Sequence, residues 1–369
     1  MNKVQETTLI INLASLTHNY NYLKNQIKSG VKFLAVVKAN AYGNSASQLA
    51  LHLEKIGVDY FAVAYTAEGI ALREAGVKKP ILVFHPQVGN FVELISYNLE
   101  PSLYSIRILS DFITLAIQKK LTNYPVHLKF NTGLNRIGFV LSEVDQVLIK
   151  LEETKTLKIT SLFSHLAASE DANETTFTQK QIDTFKTIST KIIDSIGYKP
   201  LLHQVNTSGI LNYPEAHFDM VRSGIGLYGF GNESKFDKEL KPIAALKSII
   251  SQIHTLQPGE SSGYNRAFIA TKVTRSATIP IGHADGIGRI YGHNKGFVIV
   301  NNKRASILGI VCMDMLMVDV TAIDCNEGDQ VTIFDESYPA NILAEDAGTI
   351  SYELITSMSA RIKRVFIEK

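Results

Sequence analysis

The sequence of 369 residues is poor in cysteine and has no long apolar run. Its two cysteines, Cys312 and Cys325, are too few for a disulfide framework, which indicates a reducing compartment. No run of about 18 apolar residues occurs, and the N-terminal segment lacks the apolar core of a secretory signal. We therefore expect a cytoplasmic protein with no membrane partner.

Neither sign of charge dominates, because 37 lysines and arginines face 35 aspartates and glutamates and leave a net charge of +2. This balance argues against a nucleic-acid partner and favours small molecules. Glycine and proline are also scarce, with 24 and 10 residues, whereas hydrophobic residues make up 45% of the chain. Such a composition excludes collagen-like and disordered chains. At about 150 residues per domain, the length suits two domains, or one large domain with an appendage.

Short apolar segments alternate with longer segments of helical period from about residue 10 to residue 230. Eight short segments rich in β-branched and aromatic residues predict strands, at residues 33–37, 60–64, 81–84, 102–104, 126–130, 159–163, 201–205 and 218–222. Parallel strands need crossover helices, and eight strands close a sheet, so this α/β pattern fits a (β/α)8 TIM-type barrel. A doubly wound open sheet is the alternative.

The alternating pattern stops in a polar segment at residues 231–242, which indicates a domain boundary. Beyond it, strand-like runs are separated by Gly, Asn and Asp, with a helix predicted near residues 342–360. The runs are residues 243–255, 273–281, 297–301, 305–311, 315–321 and 329–334. We therefore predict a barrel domain over residues 1–238 and a mainly β domain over residues 239–369.

Polar residues stand at the ends of several predicted barrel strands, where barrels of this kind place their active sites. Lys38 follows the first strand, where burial would lower the pKa of its amine and suit a covalent or proton-transfer role. The fifth strand delivers Lys129 and Arg136, the sixth ends at His165, and the eighth ends at Arg222. A lone lysine or histidine at a strand end is more often structural, so the prediction of an active site depends on these residues occurring together.

The last two predicted strands end in a pattern typical of phosphate binding. Thr207 supplies a hydroxyl after the seventh strand, and Gly224 and Ile225 supply backbone N–H groups after the eighth. A loop glycine alone more often serves a turn. Together with the strand-end lysine, the pattern indicates a phosphorylated carbonyl cofactor or a sugar-phosphate aldolase site.

Seven separate segments resemble the alanine racemase family. The segment AVVKANAYGN at residues 35–44 resembles the family's pyridoxal-phosphate motif, with Lys38 at the position that binds the cofactor. The others, in order, are KFNTGLNRIGF (129–139), SHLAASE (164–170), DMVRSGIGLYG (219–229), SSGYNRAF (261–268), CMDMLMVDV (312–320) and GTISYEL (348–354). The resemblance covers essentially the whole chain. It implies a racemase with a pyridoxal 5'-phosphate-binding barrel and a C-terminal β domain.

The resemblance also implies a role for each matching residue. Lys38 would bind the cofactor covalently, and Arg222 would face the nitrogen of its ring. Because a guanidinium group only donates hydrogen bonds, that nitrogen would stay unprotonated. Arg136 would contact the cofactor's phenolic oxygen and the substrate carboxylate, to which Met313 would offer its backbone N–H. The implied phosphate ligands are Tyr42, Thr207, Gly224, Ile225 and Tyr352.

Tyr264 is the residue that the barrel does not supply. In the family it comes from the β domain of the other subunit and stands opposite Lys38 across the substrate. Racemisation removes the Cα proton on one face and returns a proton on the other, so the pair implies a two-base mechanism in a homodimer with shared active sites. A phenol is a poor base at neutral pH. The resemblance therefore implies that His165, bonded to Tyr264 and kept neutral beside Arg222, shares the proton load.

The chain departs from the family pattern around Arg136. Asn131 and Leu134 stand where the family usually has Asp and Met. The family often carries the lysine at the position of Lys129 as a carbamate that braces the arginine. Lys129 is therefore a candidate for carbamylation, although the altered loop leaves its state open.

Further departures lie near the implied entrance and the phosphate site. His283 replaces a usual Tyr and Ile310 a usual Arg in the substrate entryway, so the substrate range is open. Ser223 replaces a usual Pro, and Thr207 replaces a usual Ser while keeping its hydroxyl. Asp314 matches the family motif, and we expect it to orient its neighbours.

The resemblance thus implies an alanine racemase that supplies D-alanine for peptidoglycan. A broad-specificity racemase acting on serine or basic amino acids is the alternative on the same scaffold. A non-catalytic pyridoxal-phosphate carrier is disfavoured, because such proteins lack the β domain and with it Tyr264. The histidines lack the spacing of a zinc site, so we expect no metal.

Overall fold

The computed structural model describes residues 4–152 and 154–368, and the chain divides into two compact units. The barrel unit comprises residues 17–41 and 46–240. The β unit comprises the described residues up to Leu16, residues 42–45 and the described residues from Lys241 onward. Strands are numbered in chain order, and the first, β1 (Thr8–Asn12), belongs to the β unit.

The barrel unit contains eight parallel strands in the order β8-β7-β6-β5-β4-β3-β2-β9. They are β2 (Lys32–Val36), β3 (Tyr60–Val63), β4 (Ile81–Val83), β5 (Glu100–Leu103), β6 (Tyr124–Lys129), β7 (Leu157–Phe163), β8 (Leu201–His203) and β9 (Met220–Ser223). The Asp219 N–H donates to the Leu202 carbonyl oxygen at 3.0 Å, and the Arg222 N–H donates to the Val205 carbonyl oxygen at 3.3 Å. These bonds bring β9 beside β8, so the sheet nearly closes. The predicted (β/α)8 barrel and its eight strands are confirmed.

Most barrel strands are continuous apolar runs because helices cover one face and the barrel interior covers the other. In β2, for example, Phe33, Leu34 and Ala35 are fully buried. Polar residues interrupt these runs inside the barrel. The buried ones on β5 to β8 are Glu100, Ser102, His127, Lys129, Ser161 and His203.

The helix Ile106–Gln118 shows how the outer layer forms. Its apolar residues recur at helical spacing, and Ile108, Leu109 and Phe112 are buried. The helix begins after Ser105, whose hydroxyl oxygen accepts the Ile108 N–H at 3.3 Å. The other α-helices before residue 241 are Leu13–Asn25, Ala46–Lys55, Thr66–Glu74, Phe91–Ser96, Val144–Glu152, Thr175–Ile196, Thr207–Asn212 and Ser234–Asp237.

The β unit contains a nine-stranded sheet and a two-stranded sheet formed by β12 and β13. The large sheet has the order β11-β14-β17-β16-β15-β18-β10-β1-β19. The strands are β10 (Ala244–Ile249), β11 (Gln252–Leu256), β12 (Ser261–Ser262), β13 (Phe268–Ile269), β14 (Thr274–Ile279), β15 (Phe297–Val300), β16 (Lys303–Leu308), β17 (Leu316–Asp319), β18 (Gln330–Phe334) and β19 (Lys363–Ile367). The predicted, mainly β second domain is confirmed.

Some local predictions for the β unit were wrong. The run at residues 243–255 forms two strands with different partners, because β10 pairs with β1 and β18, whereas β11 pairs with β14. The helix predicted near residues 342–360 is two helices, Ala340–Asp346 and Ser351–Thr356. Strand β19 follows them, where no strand was predicted.

The division of the chain into two units differs from the boundary predicted at residue 238, because strand β1 belongs to the β unit. It pairs antiparallel with β10 and parallel with β19, so it lies within the sheet of the β unit. Residues 42–45 belong to the same unit.

Among the described residues, no helix combines the length and apolarity that crossing a membrane requires.

Candidate active site

Lys38 lies two residues after the end of β2, at the carboxyl end of the barrel strands, and the backbone that follows it is unusual. Ala39, Asn40 and Ala41 all adopt left-handed backbone angles, with φ between 51° and 53°. Such a conformation costs about 1–2 kcal/mol per non-glycine residue. Two bonds hold the turn, because the Ala39 N–H donates to Oε1 of Glu68 at 2.6 Å and the Ala46 N–H donates to Oδ1 of Asn40 at 2.9 Å. The strained turn fixes the backbone beside Lys38.

The environment of Lys38 favours a neutral amine. Burial lowers the pKa of Lys38 most, and the charge of Arg136 lowers it further, whereas Glu68 acts in the opposite direction. A lowered pKa leaves more of the amine neutral at physiological pH, and the neutral amine is the form that acts as nucleophile and as base.

Positive charge is concentrated around Lys38. Lys129 is buried, and burial followed by the charges of Arg222, Arg136 and Lys38 lowers its pKa to about 7. Burial and then the same cationic groups, Arg222 first, hold the pKa of His165 well below its usual value. The structure thus brings together all five strand-end residues predicted from the sequence. Two consequences follow: His165 is neutral at physiological pH, and the group suits an anionic ligand.

Arg222 is the most deeply buried member of this group, with 3% of its surface exposed. Its NH1 group donates to Nδ1 of His203 at 2.7 Å, and NH2 lies 3.1 Å from Nδ1 of His165. NH2 also donates to the carbonyl oxygens of Ser164 at 2.7 Å and Gln204 at 2.8 Å. Because guanidinium only donates, both histidines must present an unprotonated Nδ1 to it. Burial, followed by the charge of Arg136, lowers the pKa of Arg222 to about 9, so it remains charged at neutral pH.

The ends of β8 and β9 form a cup of hydrogen-bond donors. The hydroxyls of Thr207 and Ser223 lie 3.0 Å apart, and the Gly226 N–H donates to Oγ1 of Thr207 at 3.3 Å. A Cβ atom at Gly226 would lie 2.6 Å from Cγ2 of Thr207, so this contact requires glycine. Within the described chain, the buried N–H groups of Gly224 and Ile225 donate to no other residue. Two buried, unpaired donors beside a hydroxyl provide a site for a phosphate.

The loop that carries Arg136 is organised by Asn131. Its side-chain oxygen accepts the N–H groups of Gly133 at 3.1 Å and Asn135 at 3.0 Å, and its amide nitrogen donates to the Asn135 side chain. The residue that departs from the family pattern therefore still shapes this loop. Arg136 itself is exposed, and its charge acts on Lys38 and Lys129.

In the β unit, two of the predicted phosphate ligands lie side by side. The ring centroids of Tyr42 and Tyr352 are 6.1 Å apart, and burial, followed by Tyr352, raises the pKa of Tyr42. Arg364 anchors the Tyr42 segment because its Nε and NH2 groups donate to the carbonyl oxygen of Gly43 at 3.2 and 2.8 Å. A Cβ atom at Gly43, where φ is +84°, would collide with the backbone of Ile355.

Tyr264 and Met313 line a cavity of about 680 Å³ in the β unit. Both side chains are exposed, to 70% and 58%. Asp314 lies in the same cavity wall and accepts a hydrogen bond from NH2 of Arg361 at 2.7 Å. Arg361 also binds both carboxylate oxygens of Asp285, at 2.7 and 3.0 Å. This supports an orienting role for Asp314, which links the Met313 segment to Arg361.

Ser164 and Ser223, which follow the sixth and eighth predicted strands, also belong to the barrel site, because Ser164 binds Arg222 and Ser223 binds Thr207. His203 and Gln204 also bind Arg222 and were not identified from the sequence as part of the site. Their position directly at the strand ends is the signal that could have identified them.

Within residues 4–152 and 154–368, no cluster of three His, Cys, Asp or Glu side chains could hold a metal ion.

The chain matches two family sequence models along most of its length. The alanine racemase N-terminal domain matches residues 11–231, and the alanine racemase C-terminal domain matches residues 243–366. The chain is 36% identical over 365 residues to an alanine racemase from Thermodesulfovibrio yellowstonii, covering 97% of this chain and 96% of that protein.

Solved structures agree with the sequence comparison. An alanine racemase from Clostridium difficile 630 has a TM-score of 0.92 and 34% identity, covering 100% of this chain and 97% of that one. The alanine racemase from Bartonella henselae, solved with covalently bound pyridoxal phosphate, has a TM-score of 0.89 and 29% identity, covering 98% of this chain and 99% of that one. The chain therefore belongs to the alanine racemase family, a family of pyridoxal-phosphate-dependent enzymes.

Proposed function

We propose that this protein interconverts L-alanine and D-alanine with pyridoxal 5'-phosphate as its cofactor, and that the D-alanine serves peptidoglycan synthesis. The observation that carries the proposal is the pairing of two features in the barrel unit. Lys38 is a strand-end amine with a lowered pKa, and Gly224 and Ile225 offer buried, unpaired N–H groups beside Thr207. A lysine for a carbonyl group and a cup for a phosphate are the two requirements of this cofactor.

The donors of the barrel unit fit the cofactor. Lys129, Arg136 and Arg222 supply positive charge toward an anionic ligand, and Thr207 with the two N–H groups supplies donors for its phosphate. We propose that Tyr42 and Tyr352 add their hydroxyls to the phosphate site. Arg222 would donate to the ring nitrogen, and Arg136 would donate to the phenolic oxygen and the substrate carboxylate. When bound, pyridoxal phosphate supplies a covalent attachment for the substrate amine and withdraws electrons from the substrate Cα.

The chain itself supplies the proton transfers. Lys38 takes or returns the Cα proton on one face, because its lowered pKa makes a neutral amine accessible. Tyr264 of the other subunit of a homodimer serves the opposite face. Met313 directs its backbone N–H to the substrate carboxylate, and the Met313 N–H donates to no other residue of the described chain.

His165 prepares Tyr264 for its role as a base. His165 is neutral because burial and nearby Arg222 lower its pKa, and its Nδ1 accepts from Arg222. Its single ring proton therefore lies on Nε2. A hydrogen bond from this N–H to the Tyr264 oxygen of the other subunit would hold that oxygen in place for proton transfer.

The test measures D-alanine formed from L-alanine, and the reverse reaction, with purified protein and pyridoxal phosphate. Lys38→Ala should abolish both directions and remove the absorbance band of the lysine-bound cofactor. Lys119→Ala, at an exposed lysine of the same unit, is the matched control and should keep both. A Lys38→Ala protein that retains the band and at least about a tenth of the activity contradicts the assignment, since a general base contributes about 100-fold or more.

The exposed His283 and the partly buried Ile310 keep a broad-specificity racemase as the second candidate. Comparing turnover of L-alanine, L-serine and L-lysine by one preparation separates the two functions. A pyridoxal-phosphate carrier without catalysis is disfavoured because the β unit carries Tyr264 and Met313 on one cavity.

A further inference from the structure

A row of hydrogen-bonded side chains crosses the barrel interior and ends at Arg222. It takes one residue from each of five strands that follow one another along the chain. They are Glu100 on β5, His127 on β6, Ser161 on β7, His203 on β8 and Arg222 on β9. All five residues are buried. Nothing in the proton transfers derived above uses Glu100, His127 or Ser161.

The contacts in this row are short and continuous. Arg222 NH1 lies 2.7 Å from Nδ1 of His203, and Nε2 of His203 lies 2.8 Å from the Ser161 hydroxyl. That hydroxyl lies 2.6 Å from Nδ1 of His127, whose Nε2 lies 2.7 Å from Oε2 of Glu100. Phe163 stacks on the His203 ring at 4.9 Å and fixes its plane.

The chemistry of the two ends determines where every proton lies. Arg222 only donates, so Nδ1 of His203 accepts. Burial followed by Arg222 holds the pKa of His203 well below its usual value, so the ring is neutral and carries its proton on Nε2. This proton goes to Ser161, which passes its own hydroxyl proton toward Nδ1 of His127. His127 then donates from Nε2 to the carboxylate of Glu100.

Every hydrogen bond in the row therefore points from Arg222 toward Glu100. Hydrogen bonds aligned in this way polarise one another, and each presents its negative end toward the guanidinium. Arg222 needs this arrangement because the groups of the described chain that accept its hydrogen bonds are all neutral. A reversed row would place a proton on Nδ1 of His203, facing the donor NH1 of Arg222.

We propose that Glu100 is a positioning residue that, as the terminal acceptor, fixes the proton direction of this row and thereby the orientation of Arg222. The inference rests on the proposed function, since it assigns Arg222 to the cofactor's ring nitrogen.

Two other groups surround Glu100. The Tyr60 hydroxyl donates to Oε2 of Glu100 at 3.1 Å, and Arg73 interacts with its charge while donating hydrogen bonds to backbone carbonyls.

The first test measures the ring protonation of both histidines by two-bond ¹H–¹⁵N correlation spectra of the cofactor-free and cofactor-loaded protein. His127 and His203 should each show a protonated Nε2 and an unprotonated Nδ1. A proton on Nδ1 of either ring in the wild-type protein overturns the proposal. This readout does not depend on activity, so it separates failure of the row from failure of the proposed function.

The second test compares Glu100→Leu, which removes the terminal acceptor, with Glu100→Gln, which keeps an acceptor oxygen. In the leucine variant, the His127 proton should move to Nδ1, and kcat should fall about 10-fold, as when carboxylates that orient metal-bound histidines are removed. KM for alanine should stay unchanged, because no substrate contact is lost. The glutamine variant should restore the histidine pattern and most of kcat.

Tyr60→Phe is the matched control, because it removes a donor to Glu100 and leaves the row complete. It should keep the wild-type kcat and histidine spectra. Wild-type kcat in Glu100→Leu, or no rescue by Glu100→Gln, overturns the proposal. If Glu100→Leu does not fold, Ser161→Ala cuts the row instead and should lower kcat at constant KM, whereas an unchanged kcat again overturns it.

Discussion

Mixing two inactive variants should restore activity if each active site is shared between subunits. The variants are Lys38→Ala, in the barrel unit, and Tyr264→Phe, in the β unit. The Tyr264 side chain is 70% exposed, and Met313 beside it is 58% exposed. A phenol that exchanges protons with a substrate must be shielded from bulk water. We therefore expect a second subunit to cover this surface and to supply the cofactor that Tyr264 serves.

The size of the recovery follows from symmetry. General acid–base groups contribute about 100 to 10,000-fold, so each variant alone should keep at most about 1% of wild-type activity. Random exchange between symmetric dimers makes about half of them mixed. Each mixed dimer has one site with both residues intact and one site with neither. About a quarter of the wild-type activity per site should therefore return.

The assay follows D-alanine formation after the two variants are incubated under conditions of subunit exchange, and exchange is verified separately with differently tagged chains. Lys38→Ala mixed with the double variant Lys38→Ala/Tyr264→Phe is the control, because no combination of these chains contains a complete site. Verified exchange without recovered activity refutes the shared site and leaves the assignment of Lys38 intact.

Two further predictions concern residues that differ from the family pattern or adjoin such residues. His283→Tyr should reduce serine turnover more than alanine turnover, because the exposed histidine leaves a wider entrance than tyrosine would; equal kcat/KM losses for the two substrates count against a gate. Lys129 should bind ¹³CO2 as a carbamate, which ¹³C NMR detects. The carbamylated fraction of Lys129 should rise between about pH 6 and pH 8. The reason is that the reactive neutral amine forms as the pH passes its pKa of about 7, instead of the 10.5 of an ordinary lysine. Lys129→Arg should lose the signal, and a signal that persists in this variant assigns it elsewhere.

The barrel was predictable because most of its strands are buried on both faces and therefore appear as short apolar runs between helices. Strands β1 and β19 were not, although β1 is the short apolar segment TLIIN. Its partners are β10 and β19, more than 200 residues away. Local patterning contains no information about such pairing, so the sequence did not reveal that β1 joins the second unit.

The strand-end residues of the site were predictable because a parallel barrel brings all carboxyl ends to one rim. The left-handed turn after Lys38 was not, since the segment Ala39–Asn40–Ala41 contains no glycine to indicate it. The row from Glu100 to Arg222 was also missed. Its members lie on different strands with no fixed spacing, and only the registers of β5 to β8 and the position of β9 beside β8 bring them into contact.

The cationic group at the barrel rim connects cofactor binding with proton transfer. The lowered pKa values of Lys38, Lys129 and His165 all have burial as the main cause and neighbouring cations as the second. Charges so arranged repel one another in the protein alone, and an anionic ligand relieves that repulsion. The same repulsion makes the neutral form of the Lys38 amine more accessible and holds the His165 ring neutral. Carbamylation of Lys129 would replace a cation of this group with an anion, and would therefore weaken the repulsion and raise the pKa of His165.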